Sequence, residues 1–311
     1  ERLEKATYSA FENIVDVCIE GDLDFLVISG DIYDEDSRSV KANQFLAEQM
    51  ERLEKENIPA YIIHGNHDPM DKGEEFVDLP DNVHVFGSEN AEVIEFNDNV
   101  EILGQSYRTK HERRKMVPGF NPSNSKISIG LLHTELDPET DDYVPVSLDN
   151  LKEKNINYWA LGHIHQTEIY RDNLAAHPGI PQGRHIEEKG LGGCLKVEID
   201  DNDTQLEFIP VSPISWREEQ IDVEEGEVSN LTDIENKVDE IADDIEAECE
   251  DLEIEIDMSD FELEGYIFRW ILEGHSKVHS QFADSNAVEV LKNNLRNSLG
   301  SRRPFVWTEE I

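Results

Sequence analysis

The sequence predicts an α/β protein with one large domain and a smaller second one. Three observations carry that expectation. Short continuous apolar runs, such as Phe25-Leu26-Val27-Ile28-Ser29 and 58–63, have the look of buried parallel strands. They alternate with segments whose apolar residues recur at helical spacing. A length of 311 residues with 38% apolar content is enough to build a core in more than one domain.

The chain opens on a helix, with Leu3, Ala6, Tyr8, Phe11, Ile14, Val15 and Cys18 at helical spacing. Residues 25–29 then read as a strand ended by Gly30-Asp31, and 36–56 return to helical spacing. The next strand, 58–63, is introduced by the Asn57-Ile58-Pro59 turn and ended by His64-Gly65, which completes a βαβ unit. Strands and turns dominate from 83 to 132: 83–87, 91–96, an Asn97-Asp98-Asn99 turn, 100–104 and 127–132, with 108–126 a polar, proline-containing loop. A helix is expected at 146–154. Tyr158-Trp159-Ala160-Leu161 leads as a strand into Gly162-His163-Ile164-His165, and strand-like runs follow at 169–170, 193–200 and 205–210. Pro213 and a change of pattern set a boundary near 212–217, giving domains 1–215 and 216–311. The second domain holds 221–227, then an acidic helix at 231–249 with Ile234, Val238, Ile241 and Ile245 inward. Strand-like 254–256 and 266–272, a helix at 287–299 and a terminal strand at 304–308 complete it. Both ends are abrupt, a helix without an initiating Met and a strand without a closing element, so truncation at each end is expected.

Charge narrows the setting. Against 27 basic residues stand 70 acidic ones, a formal charge of −43 spread along the sequence, which argues against an acidic tail. Adaptation to a high-salt cytoplasm, as in a halophilic archaeon, is expected because near-molar salt shortens screening to a few ångströms. An acidic protein of ordinary salt is the alternative. Cys18, Cys194 and Cys249 are widely spaced without a CxxC pair and read as free thiols in a reducing cytoplasm. No apolar run approaches the roughly 20 residues that span a bilayer, and no signal pattern opens the chain. A soluble, cytoplasmic protein without a membrane partner is expected.

Chemistry concentrates in four motifs, each after an apolar run: Gly30-Asp31-Ile32-Tyr33-Asp34, Gly65-Asn66-His67-Asp68, Leu132-His133 and Gly162-His163-Ile164-His165. Asp31, Asn66, His133, His163 and His165 are candidate metal ligands. Oxygen and imidazole donors without cysteine suit divalent ions such as Mn²⁺, Fe²⁺ or Zn²⁺. Two such ions a few ångströms apart would activate water and clamp a phosphate. Gly30, Gly65 and Gly162 would permit sharp strand-to-loop turns, positive φ included. His67 need not bind metal; as an acid it could protonate a leaving oxygen, with Asp68 orienting it. Each motif alone has a plainer reading. Gly-Asp commonly makes a turn, Asn-His-Asp can be a capped turn, and alternating strand histidines face opposite sides unless the backbone turns. All four in order, each after a strand, favour a site.

In that order the motifs resemble the calcineurin-like metallophosphoesterase superfamily. Within it, 30–34, the closing Leu161-Gly162-His163-Ile164-His165 and the loop Pro178-Gly179-Ile180-Pro181-Gln182-Gly183-Arg184-His185 resemble SbcD-type DNA-repair exonucleases, especially their YhaO-like branch. The resemblance covers 1–215 well and the second domain weakly. It implies a β-sandwich flanked by helices with a small α/β cap, two divalent metals of which Mn²⁺ is expected, a DNA substrate and an SbcC-type coiled-coil ATPase partner. A homodimer is a further expectation. By position the resemblance makes Asp31 the bridge between metals, assigns Asn66, His133 and His163 to one site and His165 to the other, and makes His67 the transition-state histidine. The Asp-x-His motif of the family is expected upstream of Glu1. Arg184 and His185 are weaker candidates for contact with the substrate phosphate. The cluster His111, Arg113, Arg114, Lys115 either tracks a nucleic-acid backbone or is a solvated loop. His64 is expected to be a packed strand-end imidazole, and His84 and His177 have no partner spacing. His275 and His279 are expected in a loop. The expected function is a metal-dependent DNA nuclease, with exonuclease action favoured. The alternatives are a phosphoesterase for small phosphate esters or cyclic nucleotides, and a non-catalytic subunit that binds an SMC-like ATPase.

Overall fold

The computed structural model describes residues 2–34, 39–72, 78–123, 125–140, 142–171, 173–200, 203–224, 228–250, 263–274, 278, 282 and 285–311. Two compact units divide the chain: 12–180 with 193–209, and 1–11 with 181–192 and 210–311. The opening helix α1 (Arg2–Glu20) passes from one into the other.

In the larger unit, β1 (Leu26–Ser29), β2 (Ala60–Ile63) and β3 (Val83–Val85) form a parallel three-stranded sheet. Helix α2 (Val40–Lys55) makes the crossover from β1 to β2; the Ser39 hydroxyl caps it by accepting from Ala42 N at 3.2 Å. A six-stranded sheet follows: β4 (Glu92–Glu95), β5 (Val100–Gly104), β6 (Ile127–His133), β7 (Tyr158–Gly162), β8 (Glu168–Tyr170) and β9 (Ala175–His177), in the order β4-β5-β6-β7-β9-β8. Its inner strands are parallel and its two edges antiparallel. The short α3 (Leu148–Lys152) precedes β7, with Ser147 and Asn150 in a reciprocal capping box. β10 (Gly193–Ile199) and β11 (Thr204–Pro210) pair as a ribbon.

Period-two alternation explains why the six-stranded sheet is buried on both faces. Ile102, Ile129, Leu131, Tyr158, Ala160 and Ala176 join Tyr61, Ile63 and Phe86 in one core, to which β10 and β11 add Leu195, Val197 and Leu206. Their sequence neighbours Leu103, Leu132, Trp159, Leu161 and Ala175 point the other way, into a second core with Tyr107, Phe120 and Leu151. Sheet on sheet, with helices outside, is the sandwich that the motif resemblance implies. Two elements depart from the sequence reading. β9 is only Ala-Ala-His, too short to carry a strand signal, yet it is wholly buried between β7 and β8.

The second departure concerns the boundary expected at 212–217. β12 (Ile214–Asp222) runs through it, starting just after Pro213, where a missing N–H takes nothing from the ladder. Residues 181–192 join this unit by hydrogen bonds: Gln182 Nε2 donates to Ile214 O at 2.8 Å and Trp216 Nε1 to Gly183 O at 3.0 Å. These compact units are discontinuous along the chain, whereas the division read from the sequence, 1–215 and 216–311, is linear. Here β12, β13 (Gly265–Glu273) and β14 (Phe305–Glu310) form an all-parallel sheet. It shares a core with α4 (Leu231–Glu250), through Ile234, Val238, Ala242 and Ile245, and with α5 (Ser285–Leu299), through Leu291, Leu295 and Leu299. Ile241 is only partly buried. The strand expected at 254–256, His275 and His279 lie outside the described residues, as does the Cys249 side chain. Cys18 and Cys194 are free thiols. Among the described residues no helix is long and apolar enough to cross a membrane.

Candidate metal centre

Parallel register brings the motifs together. Ser29 pairs with Ile63 where β1 and β2 end, and His133 with Gly162 where β6 and β7 end, so all four loops leave their sheets at the same level. Ser29 ties the two sheets: its hydroxyl donates to Ala160 O at 2.9 Å, and its carbonyl accepts from His133 Nδ1 at 2.8 Å. That carbonyl can only accept, which fixes a proton on Nδ1. The other nitrogen, Nε2, then faces two more acceptors, Asn66 Oδ1 at 2.8 Å and Asp31 Oδ2 at 3.2 Å. His163 Nδ1 meets the same Asn66 oxygen at 3.0 Å, and ligand atoms of Asp31, His133 and His163 lie within 4.8 Å of one another.

Converging acceptors need a positive charge between them. Without a metal, a proton on His133 serves. Burial disfavours it, but the hydrogen bond and charge of Asp31 outweigh burial and raise the His133 value. Asp31 is correspondingly held below the usual carboxylate range, since His133 and the His67 amide overcome its burial. Burial, with His133 adding to it, pushes His163 down to about 4, so this imidazole is neutral and ready to ligate at pH 7. One carboxylate, one amide oxygen and two imidazoles fit a hard-to-borderline divalent ion.

Local backbone explains why these residue types stand at the strand ends. Gly30 has φ +94°, and the backbone then stays left-handed at Asp31 (φ +56°), aiming the carboxylate back over the sheet end. Gly65 and Gly162 do not use positive φ, contrary to the expectation for them. They are needed for space: a Cβ on Gly65 would strike Asp31 and His133, and one on Gly162 would strike the Ser29 carbonyl. After Gly162 the turn is made by His163 itself, at φ +102°. The turn separates the two histidines of the motif: His163 joins the cluster, while His165 is exposed and outside it. Non-glycine residues in this region are strained by about 1–3 kcal/mol each, and such strain concentrates at functional sites.

Asp68 and His67 divide their work differently from the expected pairing. Asp68, only 1% exposed, accepts backbone N–H groups from Gly65 (2.7 Å), Asp31 (3.2 Å) and Ile32 (2.9 Å), and so clamps the loops that carry Asp31 and Asn66 together. The half-exposed His67 ring instead places Nδ1 2.9 Å from Asp34 Oδ1, while its backbone N–H donates to Asp31 Oδ1 at 2.8 Å. Asp34 is thus the orienting carboxylate. The second Asp of Gly-Asp-x-x-Asp was its only sequence signal. His64 is buried with Nδ1 3.3 Å from Asp68 Oδ2, close but without hydrogen-bond geometry. Tyr107, which no motif announces, braces His133: its hydroxyl donates to His133 O at 2.8 Å and the rings meet edge to face.

Residues 4–167, more than half of the chain, match the calcineurin-like phosphoesterase family. The chain belongs to that family. Among its relatives, the uncharacterized metallophosphoesterase YhaO of Bacillus subtilis (strain 168) is 32% identical over 240 residues, 74% of this chain and 58% of that protein. The DNA double-strand break repair protein Mre11 of Archaeoglobus fulgidus is 31% identical over 209 residues, 58% of this chain and 45% of its own length. Mre11 of Methanocaldococcus jannaschii is 29% identical over 233 residues, 69% of this chain and 62% of its own length. The chain therefore spans 45–62% of these relatives.

Other polar residues of this calcineurin-like phosphoesterase have plainer surroundings. Arg184 and His185 belong to the smaller unit, where both lean on the buried Glu188: Arg184 Nη2 at 3.7 Å and His185 Nε2 at 3.4 Å. In the basic cluster, Arg114 is held by the buried Glu112 at 2.8 Å, and His111 and Arg113 both lie 3.3 Å from Asp142. His84 pairs with Glu92 at 3.3 Å. His177 is fully buried and donates from Nε2 to Thr134 O at 2.9 Å.

Proposed function

We propose that this chain is the nuclease portion of a DNA-repair phosphodiesterase of the SbcD and Mre11 kind, acting in a high-salt cytoplasm with Mn²⁺. The observation that carries the reading is the set of mutually facing acceptors on Asp31, Asn66 and His133, with the His67–Asp34 pair beside it. Relatives named as DNA double-strand break repair proteins support DNA as the substrate. Asp31, Asn66, His133 and His163 would hold one divalent ion, and His165 would serve a second. When bound, such ions neutralise phosphoryl oxygens and activate water for in-line attack.

The chain's own residues supply the rest. Asp34 fixes the plane of His67 and keeps a proton on Nδ1, leaving Nε2 as the atom from which a proton reaches the leaving oxygen. Asp68 sets the spacing of the Asp31 and Asn66 loops. Self-repulsion of a −43 chain and a DNA polyanion is reduced in high salt. We include in the reading an SbcC-type coiled-coil ATPase and a homodimer as partners, and Arg184 and His185 as contacts to the substrate phosphate.

The test is degradation of linear duplex DNA in near-molar salt with Mn²⁺, wild type against His67→Ala. A loss on the order of 10²-fold or more is expected, the scale of a positioned acid. Equal rates would refute the role of His67. A second reading, hydrolysis of small phosphate esters, is favoured by the pairing of His111, Arg113 and Arg114 with acidic side chains, which offsets their charge toward a nucleic-acid backbone. Hydrolysis of a chromogenic diester without loss of DNA would select it.

A further inference from the structure

Thr134 directly follows the ligand His133, is fully buried, and lies where several constraints on His163 meet. Its N–H donates to Gly162 O at 3.1 Å, next to His163 in the chain. Its carbonyl accepts from His177 Nε2 at 2.9 Å. Its hydroxyl accepts from Leu136 N at 3.1 Å and donates toward Val144 O at 3.0 Å and Tyr143 O at 3.3 Å. The Tyr143 ring in turn covers the His163 imidazole, centroid to centroid 4.4 Å and 36° from parallel.

Leu136 (φ +57°), Val144 (φ +47°) and His163 (φ +102°) all sit in the left-handed region. Such residues keep that conformation only where the surroundings over-determine it. One hydroxyl bonds to the backbone at two of the three. The third, His163, is held between Asn66 at Nδ1 and the Tyr143 ring on its face. A free imidazole on a strained backbone could rotate away from the cluster; this one is covered.

We propose that Thr134 and Tyr143 are positioning residues of the metal centre: the Thr134 hydroxyl pins the 143–144 backbone so that the Tyr143 ring holds His163 in its ligating plane. The inference rests on the metal-centre reading above. Both side chains would act through His163, which Tyr143 covers, and losses in metal affinity of about 10–100-fold are typical when such supports are removed.

Calorimetric titration with Mn²⁺ of the wild-type chain, Thr134→Val, Tyr143→Ala and Tyr143→Phe, each with a metal-free thermal melt, tests it. Thr134→Val and Tyr143→Ala should bind Mn²⁺ about tenfold or more weaker. Tyr143→Phe should bind like wild type, because the ring face is the part against His163. Wild-type affinity in both weakened variants overturns the inference. If Thr134→Val does not fold, the contrast at position 143 decides, and equal affinities of the Ala and Phe variants overturn it. A wild-type chain that binds no Mn²⁺ would instead overturn the metal-centre reading, and this inference with it.

Discussion

Asp68 stands two residues after Asn66 and Asp34 three after Asp31, both beside candidate ligands at strand ends, yet their tasks differ. The buried Asp68 carboxylate is occupied by three backbone N–H groups, and the His67 ring turns instead to Asp34. Replacing Asp68 by Ala leaves those amides without partners, and unsatisfied buried groups cost about 1–3 kcal/mol each. Asp68→Ala is therefore expected to lower the metal-free melting temperature clearly and to weaken Mn²⁺ binding, as read by thermal denaturation and calorimetry. The identities of Asp31, Asn66, His67 and His133 were legible as motif residues; which carboxylate serves which group was not. That depends on the left-handed path at Gly30-Asp31, a property of the loop and not of the spacing. Acidity enters at the same scale. His133 is raised by Asp31, so in the metal-free chain its proton favours the fold below the ordinary 6.5, and that contribution fades as pH rises through the raised value. A metal must displace this proton. Mn²⁺ affinity should accordingly increase between about pH 6 and pH 8 with release of a proton, seen as a buffer-dependent binding enthalpy. His163 contributes with the opposite sign: from 6.5 down to about 4 the unfolded chain takes up a proton that the folded one refuses, so acid in that window destabilises the fold.

At the scale of elements, strands that end in motif residues announced themselves because both faces are apolar and the run is continuous, as in β2 and β7. β9 did not, being three small or polar residues whose strand state is imposed by β7 and β8. β12 was obscured for another reason: Pro213 marks a strand start as readily as a linker, and the segment that secures it, 181–192, is distant in sequence. The largest buried side chain of the sandwich shows how tightly the elements interlock. Trp159 is fully buried and lies over Gly130 of β6, where an added Cβ would come within 2.6 Å of its ring. Trp159→Ala is expected to cost about 3–5 kcal/mol in chemical denaturation, the range for removing a large aromatic from a core. Substitution at an exposed position such as Val93 should cost little, because no core packing is lost.

For the whole molecule, the −43 charge sets the conditions under which the site can be studied. Self-repulsion opposes the compact state, and its range falls from about 10 Å at 0.1 M salt to about 3 Å at 1 M. The melting temperature should therefore rise between about 0.1 M and about 1 M KCl; a flat or falling curve would show that the acidic surface does not burden the fold. The sandwich was legible through the order of the motifs, because each ligand type had a fixed place at a strand end. The discontinuous smaller unit was not, since its parts are joined by hydrogen bonds between segments far apart in sequence. What all three scales share is the convergence of Asp31, Asn66, His133 and His163, which we propose to be one cation site. Diffraction at the manganese absorption edge, from crystals grown with Mn²⁺, tests it directly. An anomalous peak in contact with those four side chains is the predicted result; well-ordered side chains with no peak among them would contradict it.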